Sequence, residues 1–375
     1  MTMKDIPVLR PTVAQIDLTA LRFNLDKARF IAQSRGGRRP KILFTVKANA
    51  YGHGMLPAAQ YAQKADLCDA FGVTSIEEGI ILRHGGITKP VLVLGSVYPF
   101  EYFEYAVKNN LAVTIASARA ANYIKDLAAK LKMNVSCHIK LETGMNRIGS
   151  RRPAALGMLE ILNGAPYIKV GGCYSHLSCA EDVAFAARQA EYFKEFLAAA
   201  SALGMRTGMA HIAASGGFMK YKDLGFDMVR LGRLAYGLEE GFKPVMTLKS
   251  GVVFIKDIRA GAGVGYGKAF VAGRPSRIAT IPIGYGDGYP RALGNKAFAL
   301  VAGRRVPVIG NVAMDMIMAD ITDLGDIPVG SEVVLIGEQG GARISATEVA
   351  AWAGTVDYEI VTAVSARVPR IISAQ

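Results

Sequence analysis

The sequence predicts an α/β protein: an N-terminal (β/α)8 barrel of the TIM type followed by a mostly-β C-terminal domain. Three observations lead there. The first two thirds of the 375 residues alternate short β-branched apolar runs with longer amphipathic stretches, the pattern of repeated βα units about a parallel sheet. Eight such runs fit within roughly 200 residues, a count that suits a closed barrel better than an open sheet. After Gly241 the texture changes to short alternating strands separated by glycine.

The eight predicted barrel strands are residues 42–46, 71–74, 91–94, 112–115, 135–141, 168–174, 209–212 and 228–231. Helical patterns between them include 77–84, 118–131, 153–162 and 182–203, the last rich in alanine with a period near 3.6. In the β-rich part, strands are expected at 246–255, 277–283, 298–301, 304–309, 316–320 and 332–336, a late helix at 345–353, and a final apolar segment around 360–364. This places a barrel over residues 1–243, whose first residues are candidates to pair with the β domain, and the β-rich domain over 244–375. The boundary is a shift in composition, with no flexible linker.

An apolar fraction of 51% with 20% charged residues and no low-complexity stretch favours a packed globular chain, with disorder expected only in the N-terminal lead and the basic stretch 35–41. The net charge of +13 raises the question of an anionic partner. The excess is scattered, and the one cluster, Arg35, Arg38, Arg39 and Lys41, lacks interleaved aromatics, so no nucleic-acid partner is expected. No apolar run reaches membrane-helix length and the N-terminus lacks the apolar core of a signal peptide, so a cytoplasmic protein with no membrane partner is expected. Four sparse cysteines, Cys68, Cys137, Cys173 and Cys179, fit reduced thiols. Cys173, His176 and Cys179 form a C-x2-H-x2-C triplet, but no fourth ligand stands nearby; a buried strand end is the plainer reading, and no metal is expected.

Active sites of such barrels lie at the C-terminal ends of the strands. Lys47 closes the apolar run ILFTV and precedes ANAYGHG, in which Gly52 and Gly54 permit tight backbone geometry and Tyr51 and His53 offer polar tips. On these features alone Lys47 is either a lysine that snorkels at the rim or an amine whose pKa desolvation lowers, as a Schiff-base or general-base lysine requires. The glycine-rich string 260–269 is no nucleotide loop: it lacks G-x-G-x-x-G spacing, and its GK is followed by Ala269.

The segment TVKANAYGHG resembles the pyridoxal phosphate attachment motif of alanine racemases. Further matches follow in order: LETGMNRIG at 141–149, YSHLSCAED at 174–182, MVRLGRLAYGL at 228–238, VGYGKAF at 264–270, IPIGYGDGY at 281–289 and DYEIVTAVSARVPR near the end. The resemblance covers essentially the whole chain. It implies a fold-type III, pyridoxal 5'-phosphate-dependent isomerase that interconverts L- and D-alanine and supplies D-alanine for peptidoglycan. In that family Lys47 would form the internal aldimine with the cofactor. Tyr51, Ser215, the backbone amides of Gly232 and Arg233, and Tyr358 would hold its phosphate. Arg230 would face the pyridine nitrogen and His176 would stack on the ring. Arg147 would orient the substrate carboxylate, while Tyr285 and Met314 would border the substrate. Lys140 matches a position at which some members carry a carbamylated lysine, and two like charges at Lys140 and Arg147 give a physical motive for a carbamate or a bound anion there.

Racemisation needs a second acid–base group across the cofactor from Lys47, and Tyr266 matches it. In the family this tyrosine reaches the partner's barrel, which implies a homodimer with shared sites. Its phenolate would need stabilising neighbours, for which His176 and Arg230 are candidates. Two alternatives share parts of the pattern. A fold-type III amino acid decarboxylase would present an acid to the pyridine nitrogen and a cysteine-bearing substrate motif, and neither is found; a non-catalytic pyridoxal phosphate-binding protein would lack the β domain. Three positions depart from the family pattern: Ala214, where asparagine is common, Arg233, where an apolar residue is usual, and Ala313, where cysteine or another larger residue is frequent. Ala313 beside Met314 thins the expected pocket wall, so activity broadened to serine is expected.

Overall fold

A computed structural model describes residues 8–35 and 39–373; Arg38 of the basic cluster and the lead through residue 7 lie outside the described residues. The chain divides into two compact units. One comprises Arg22–Ala50 and Met55–Ala235, the other the described residues up to Leu21, Tyr51–Gly54 and those from Tyr236 onward.

In the first unit, strands Lys41–Thr45, Ala70–Val73, Val91–Val93, Ala112–Ile115, Val135–Lys140, Ile168–Tyr174 and Met209–His211 follow one another in sequence order, each parallel to the next. The eighth, Met228–Leu231, pairs in parallel with the first. Its other edge meets the seventh strand through Asp227 N to Ala210 O at 3.0 Å and Arg230 N to Ala213 O at 3.1 Å, which closes the barrel. The strands read as apolar runs because both faces are covered: Ala70–Val73 is buried at every residue. Leu43, Ala70, Leu92 and Met228 form one cluster of the barrel core. Each such buried Leu or Met contributes about 1.5–3 kcal/mol by leaving water.

The helices begin where side-chain caps allow. Ser75 opens Ile76–His84 with a capping box, its hydroxyl accepting from the Glu78 amide while the Glu78 carboxylate accepts from Ser75 N. Ser117 and Asp182 cap Ala118–Leu131 and Val183–Ala202 with the side-chain oxygen alone, accepting from Ala120 N and Phe185 N. Helices Leu18–Ser34, Met55–Lys64 and Phe103–Lys108 have no counterpart among the helical patterns named above. Among the described residues no helix is long and apolar enough to cross a membrane.

The second unit is built on a sheet ordered Phe254–Ile258, Ser276–Ile281, Ile317–Asp320, Arg304–Ile309, Phe298–Val301, Glu332–Gln339, Met246–Gly251, Val13–Asp17 and Arg370–Ser373, with Ala342–Ile344 on Glu332–Gln339. Val13–Asp17 lies antiparallel to Met246–Gly251 and parallel to Arg370–Ser373. The single strand expected at 246–255 is two: Met246–Gly251 pairs with Glu332–Gln339, and Phe254–Ile258 pairs with Ser276–Ile281. The apolar run continues through the change of partner, so alternation alone does not reveal it. The apolar segment 360–364 falls mostly within the helix Asp357–Ala363. At Gly52 (φ +83°) a Cβ would stand 2.1 Å from Val361 O, so only glycine fits that approach.

One ion pair in this unit is fully withdrawn from water at its acidic end. Arg10 donates from Nη1 and Nη2 to the two Asp287 oxygens at 2.8 and 3.0 Å, and Asp287 is completely buried. Burial pushes the Asp287 carboxyl up, but the Arg10 hydrogen bond, the Gly284 amide and the charges of Arg10 and Arg367 together hold it below the usual carboxylate range. Its stabilisation is therefore present above the ordinary aspartate value of about 4 and is lost as the pH falls through the lower folded value. Arg10→Ala should cost about 3 kcal/mol in urea unfolding at neutral pH, the low end for a broken buried pair because Arg367 remains at 3.4 Å. A loss below about 0.5 kcal/mol, the scale of an exposed pair, would show that the bridge does not anchor this segment.

Candidate active site

Lys47 leaves the C-terminal end of the first barrel strand, and the chain then turns the wrong way. Ala48, Asn49, Ala50 and Tyr51 all have φ between 51° and 56°, a left-handed turn made without glycine. Such a conformation costs roughly 1–2 kcal/mol per residue for side chains with a Cβ. Hydrogen bonds within the barrel unit hold it. Ala48 N donates to Glu78 Oε1 at 2.6 Å, Met55 N to Asn49 Oδ1 at 2.9 Å and Ala50 N to Val46 O at 2.8 Å. Glu78 thus serves the turn with one oxygen and the helix cap with the other. Lys47 emerges half-buried, its pKa lowered first by burial and then by the charge of Arg147, with Arg230 adding to this and Glu78 opposing it.

Arg230, on the eighth strand, is buried and its acceptors are all protein groups. Nη1 donates to His211 Nδ1 at 2.8 Å; Nη2 faces Ser175 O at 2.8 Å, Ile212 O at 2.9 Å and His176 Nδ1 at 3.0 Å. Its guanidinium carbon stands 5.3 Å from the Tyr174 ring centroid. Burial lowers its pKa to about 10, which leaves it charged at neutral pH. Both histidines that face it are pushed well below the usual imidazole value, first by burial and then by Arg230 itself. Each is neutral and accepts at Nδ1, since a guanidinium only donates.

Lys140 ends the fifth strand, buried, with Nζ 4.2 Å from the Tyr174 ring centroid. Burial, then Arg230 and Arg147, pushes its amine well below the ordinary lysine value. Arg147 is exposed on the loop that follows, where the Glu142 carboxylate accepts from the Gly144 amide. Lys47, Lys140, Arg147 and Arg230 therefore lie within one another's electrostatic reach, with neutral His176 against Arg230. Ser215 opens the helix Ser215–Lys220, and its oxygen accepts from Gly232 N at 3.3 Å and Leu234 N at 3.2 Å. Arg233 and Ala214 are half-buried beside these residues.

These groups fit pyridoxal phosphate chemically. Lys47 offers a half-buried amine whose pKa burial and the Arg147 charge lower. The Ser215 hydroxyl hydrogen has no protein acceptor among the described residues, and Arg230 Nε–H likewise has none. An aldehyde, a phosphate and an unprotonated ring nitrogen are the partners such groups would take.

The remaining expected site residues belong to the second unit. Tyr51 stacks at 5.0 Å on Tyr236, and burial, with Tyr358 adding, raises its hydroxyl to about 12. Tyr358 is exposed at the start of its helix. Tyr266 sits at a turn between Gly263–Val264 and Phe270–Val271, 76% exposed, its carbonyl accepting from Asn311 Nδ2 at 2.9 Å. The loops carrying Tyr285 and Met314, both exposed, are joined by Tyr285 N to Ala313 O at 3.0 Å and Gly286 N to Met314 O at 2.9 Å. Ala313 is half-buried.

Sequence reasoning missed Glu78, His211 and Tyr174. The S-x-x-E box at Ser75 signalled the first, and the position of His211 at a strand end signalled the second. Cys173 is buried and Cys179 exposed, and among the described residues no group of His, Cys, Asp and Glu converges as a metal site.

Residues 16–240 match the family model for the alanine racemase N-terminal domain, and residues 245–372 the one for the C-terminal domain. The chain is 41% identical over 373 residues to an alanine racemase of Halothermothrix orenii, with 97% of each chain covered. Against one from Symbiobacterium thermophilum it is 38% identical over 382 residues, with 99% of each covered. Among solved structures it is similar to alanine racemase from Bacillus anthracis with bound L-Ala-P, at a TM-score of 0.91 and 34% identity, covering 98% of this chain and 96% of that one. The chain belongs to the alanine racemase family, pyridoxal-phosphate-dependent isomerases that interconvert the L and D forms of alanine.

Proposed function

We propose that this chain racemises alanine with two bases, Lys47 on one face of the substrate and Tyr266 on the other, in a homodimer whose sites are shared. The observation that carries this reading is the state of Lys47, a half-buried amine at a barrel strand end whose pKa burial and Arg147 depress. When bound, pyridoxal phosphate supplies the electron withdrawal that acidifies the α-proton of the amino acid. Lys47 accepts or returns that proton at one face, and the Tyr266 hydroxyl does so at the other. Arg230 would donate to the ring nitrogen without protonating it, which would moderate that withdrawal and favour racemisation over transamination. Tyr51, Ser215, Tyr358 and the amides of Gly232 and Arg233 would hold the phosphate, and neutral His176 would cover the ring. Arg147 orients the substrate carboxylate, and Tyr285 and Met314 border the substrate. Lys140 takes a carbamate: burial and the charges of Arg230 and Arg147 disfavour its ammonium form, and a carbamate anion would offset those two arginines. The D-alanine formed in the cytoplasm serves peptidoglycan synthesis.

The shared site has a quantitative test. Lys47→Ala and Tyr266→Phe chains are each inactive as homodimers, but a mixed dimer has one intact site of two. After subunit exchange at equal concentration, half the dimers are mixed, so activity should recover to about a quarter of wild type. No recovery, with exchange verified by mass spectrometry, would mean that both bases come from one chain or that Tyr266 is no base.

Substrate breadth follows from Ala313. One methylene of pocket wall is worth about 1–3 kcal/mol of discrimination, so Ala313→Cys should raise the ratio of kcat/KM for alanine over serine about fivefold or more. An unchanged ratio would remove Ala313 from the specificity wall.

A further inference from the structure

A chain of polar groups runs from Arg230 into the barrel. Arg230 donates to His211 Nδ1, so neutral His211 carries its proton on Nε2. That nitrogen is 3.2 Å from His138 Nδ1, which must accept. His138, held neutral with a pKa of about 4 by burial and Arg230, therefore carries its own proton on Nε2. His138 is 95% buried, given its 5% relative exposure, and among the described residues Nε2 has no protein partner. Neither does the Ser136 hydroxyl.

Both groups edge a cavity of about 400 Å³ at the opposite end of the barrel from Lys47. It is lined by opening residues of the strands, Lys41, Ala70, Val91 and Met228 among them. A Cβ on Gly171 would stand 2.2 Å from Ser136 Oγ and 2.8 Å from His138 Nε2, so it is the missing side chain that leaves both donors facing space. Lys41, Arg83 and Lys169 also line the cavity, and no carboxylate does. Arg83 is spent on backbone carbonyls, Nη1 to Ile87 O and Lys89 O and Nη2 to Asn110 O, so its charge has no carboxylate partner. The wall beyond the donors is apolar, from Leu43, Leu92, Met209 and Met228.

We propose that this cavity binds a short aliphatic monocarboxylate, its carboxylate oxygens accepting from His138 Nε2–H and Ser136 O–H and its chain lying against Leu43 and Met228. The lysines at the rim supply the attraction for an anion. The buried end of the cavity offers the two donors His138 and Ser136 beside hydrocarbon from Leu43, Leu92, Met209 and Met228, and no lining side chain is a carboxylate, which together favour a monoanion with a short apolar chain over a cation. The site is distinct from the one at the strands' C-terminal ends and does not depend on the roles proposed there for Lys47 and Tyr266.

Sodium butanoate is the probe, titrated calorimetrically into the holoenzyme with alanine saturating, so that the substrate site is occupied. One butanoate per chain should bind at about millimolar affinity, the scale for so small a ligand. Sodium chloride and butylammonium at the same concentration should not bind. Ala112→Leu, which fills the cavity, should weaken butanoate at least tenfold and leave kcat/KM for alanine within twofold. In parallel, the ¹⁵N resonance of His138 Nε2 should move with butanoate in the wild-type protein, a readout that stands even if the leucine variant fails to fold. Loss of binding when alanine saturates, equal binding by butylammonium, or a His138 resonance that does not respond would each overturn the proposal.

Discussion

A guanidinium that stays charged at neutral pH has been placed where water does not reach, and the barrel unit is arranged around satisfying it. Arg230 would be costly to bury without acceptors. Its four acceptors are two carbonyls and two imidazole nitrogens. The imidazoles can accept only if they are neutral, and the same charge that needs them keeps them so. The tautomers of His176, His211 and His138 are consequences of this one fixed donor. The field also reaches the amines: Lys47 and Lys140 both lie below the ordinary lysine value, with burial leading and arginine charge adding. The buried guanidinium and the burial of the amines thus act in the same direction on both lysines.

The second constraint is conformational. Four successive residues with side chains sit in the left-handed region directly after Lys47. Strain of this kind persists when surrounding structure over-determines it, and here Glu78 and Asn49 do so. Because Glu78 also closes the capping box of Ile76–His84, the aim of Lys47 is tied to a helix rather than to a free loop. The cavity at the other barrel mouth connects to the same centre through His211 and His138, so the two ends of the barrel share one hydrogen-bonded line.

What could be read from the sequence follows from what generates a pattern. The eight barrel strands were legible because strands buried on both faces show as uninterrupted β-branched runs, and capped helices such as Ala118–Leu131 show both a period and a start signal. The change of partner within 246–255 was not, because a strand that leaves one neighbour for another keeps its apolar alternation. The left-handed turn was not either: KANAY has the composition of an ordinary helix, and its handedness is imposed by Glu78, distant in sequence. Of the site, Lys47 and Arg230 announced themselves by position and by motif. Tyr174 and His138 did not, since an aromatic or an imidazole inside a strand looks like core until the guanidinium it serves is located. In the segment SCHIK, the alternation of Ser136, His138 and Lys140 with apolar residues was the signal that could have revealed His138.

Arg230 is a fixed donor flanked by neutral imidazoles, and ¹⁵N NMR of histidine-labelled holoenzyme tests this most directly. His211 and His176 should show an unprotonated Nδ1 and a protonated Nε2, and neither should titrate near the ordinary imidazole value of about 6.5, because burial and the Arg230 charge push both well below it. A proton on Nδ1 of either ring, or titration of either near 6.5, would contradict the arrangement and the electrostatics derived from it.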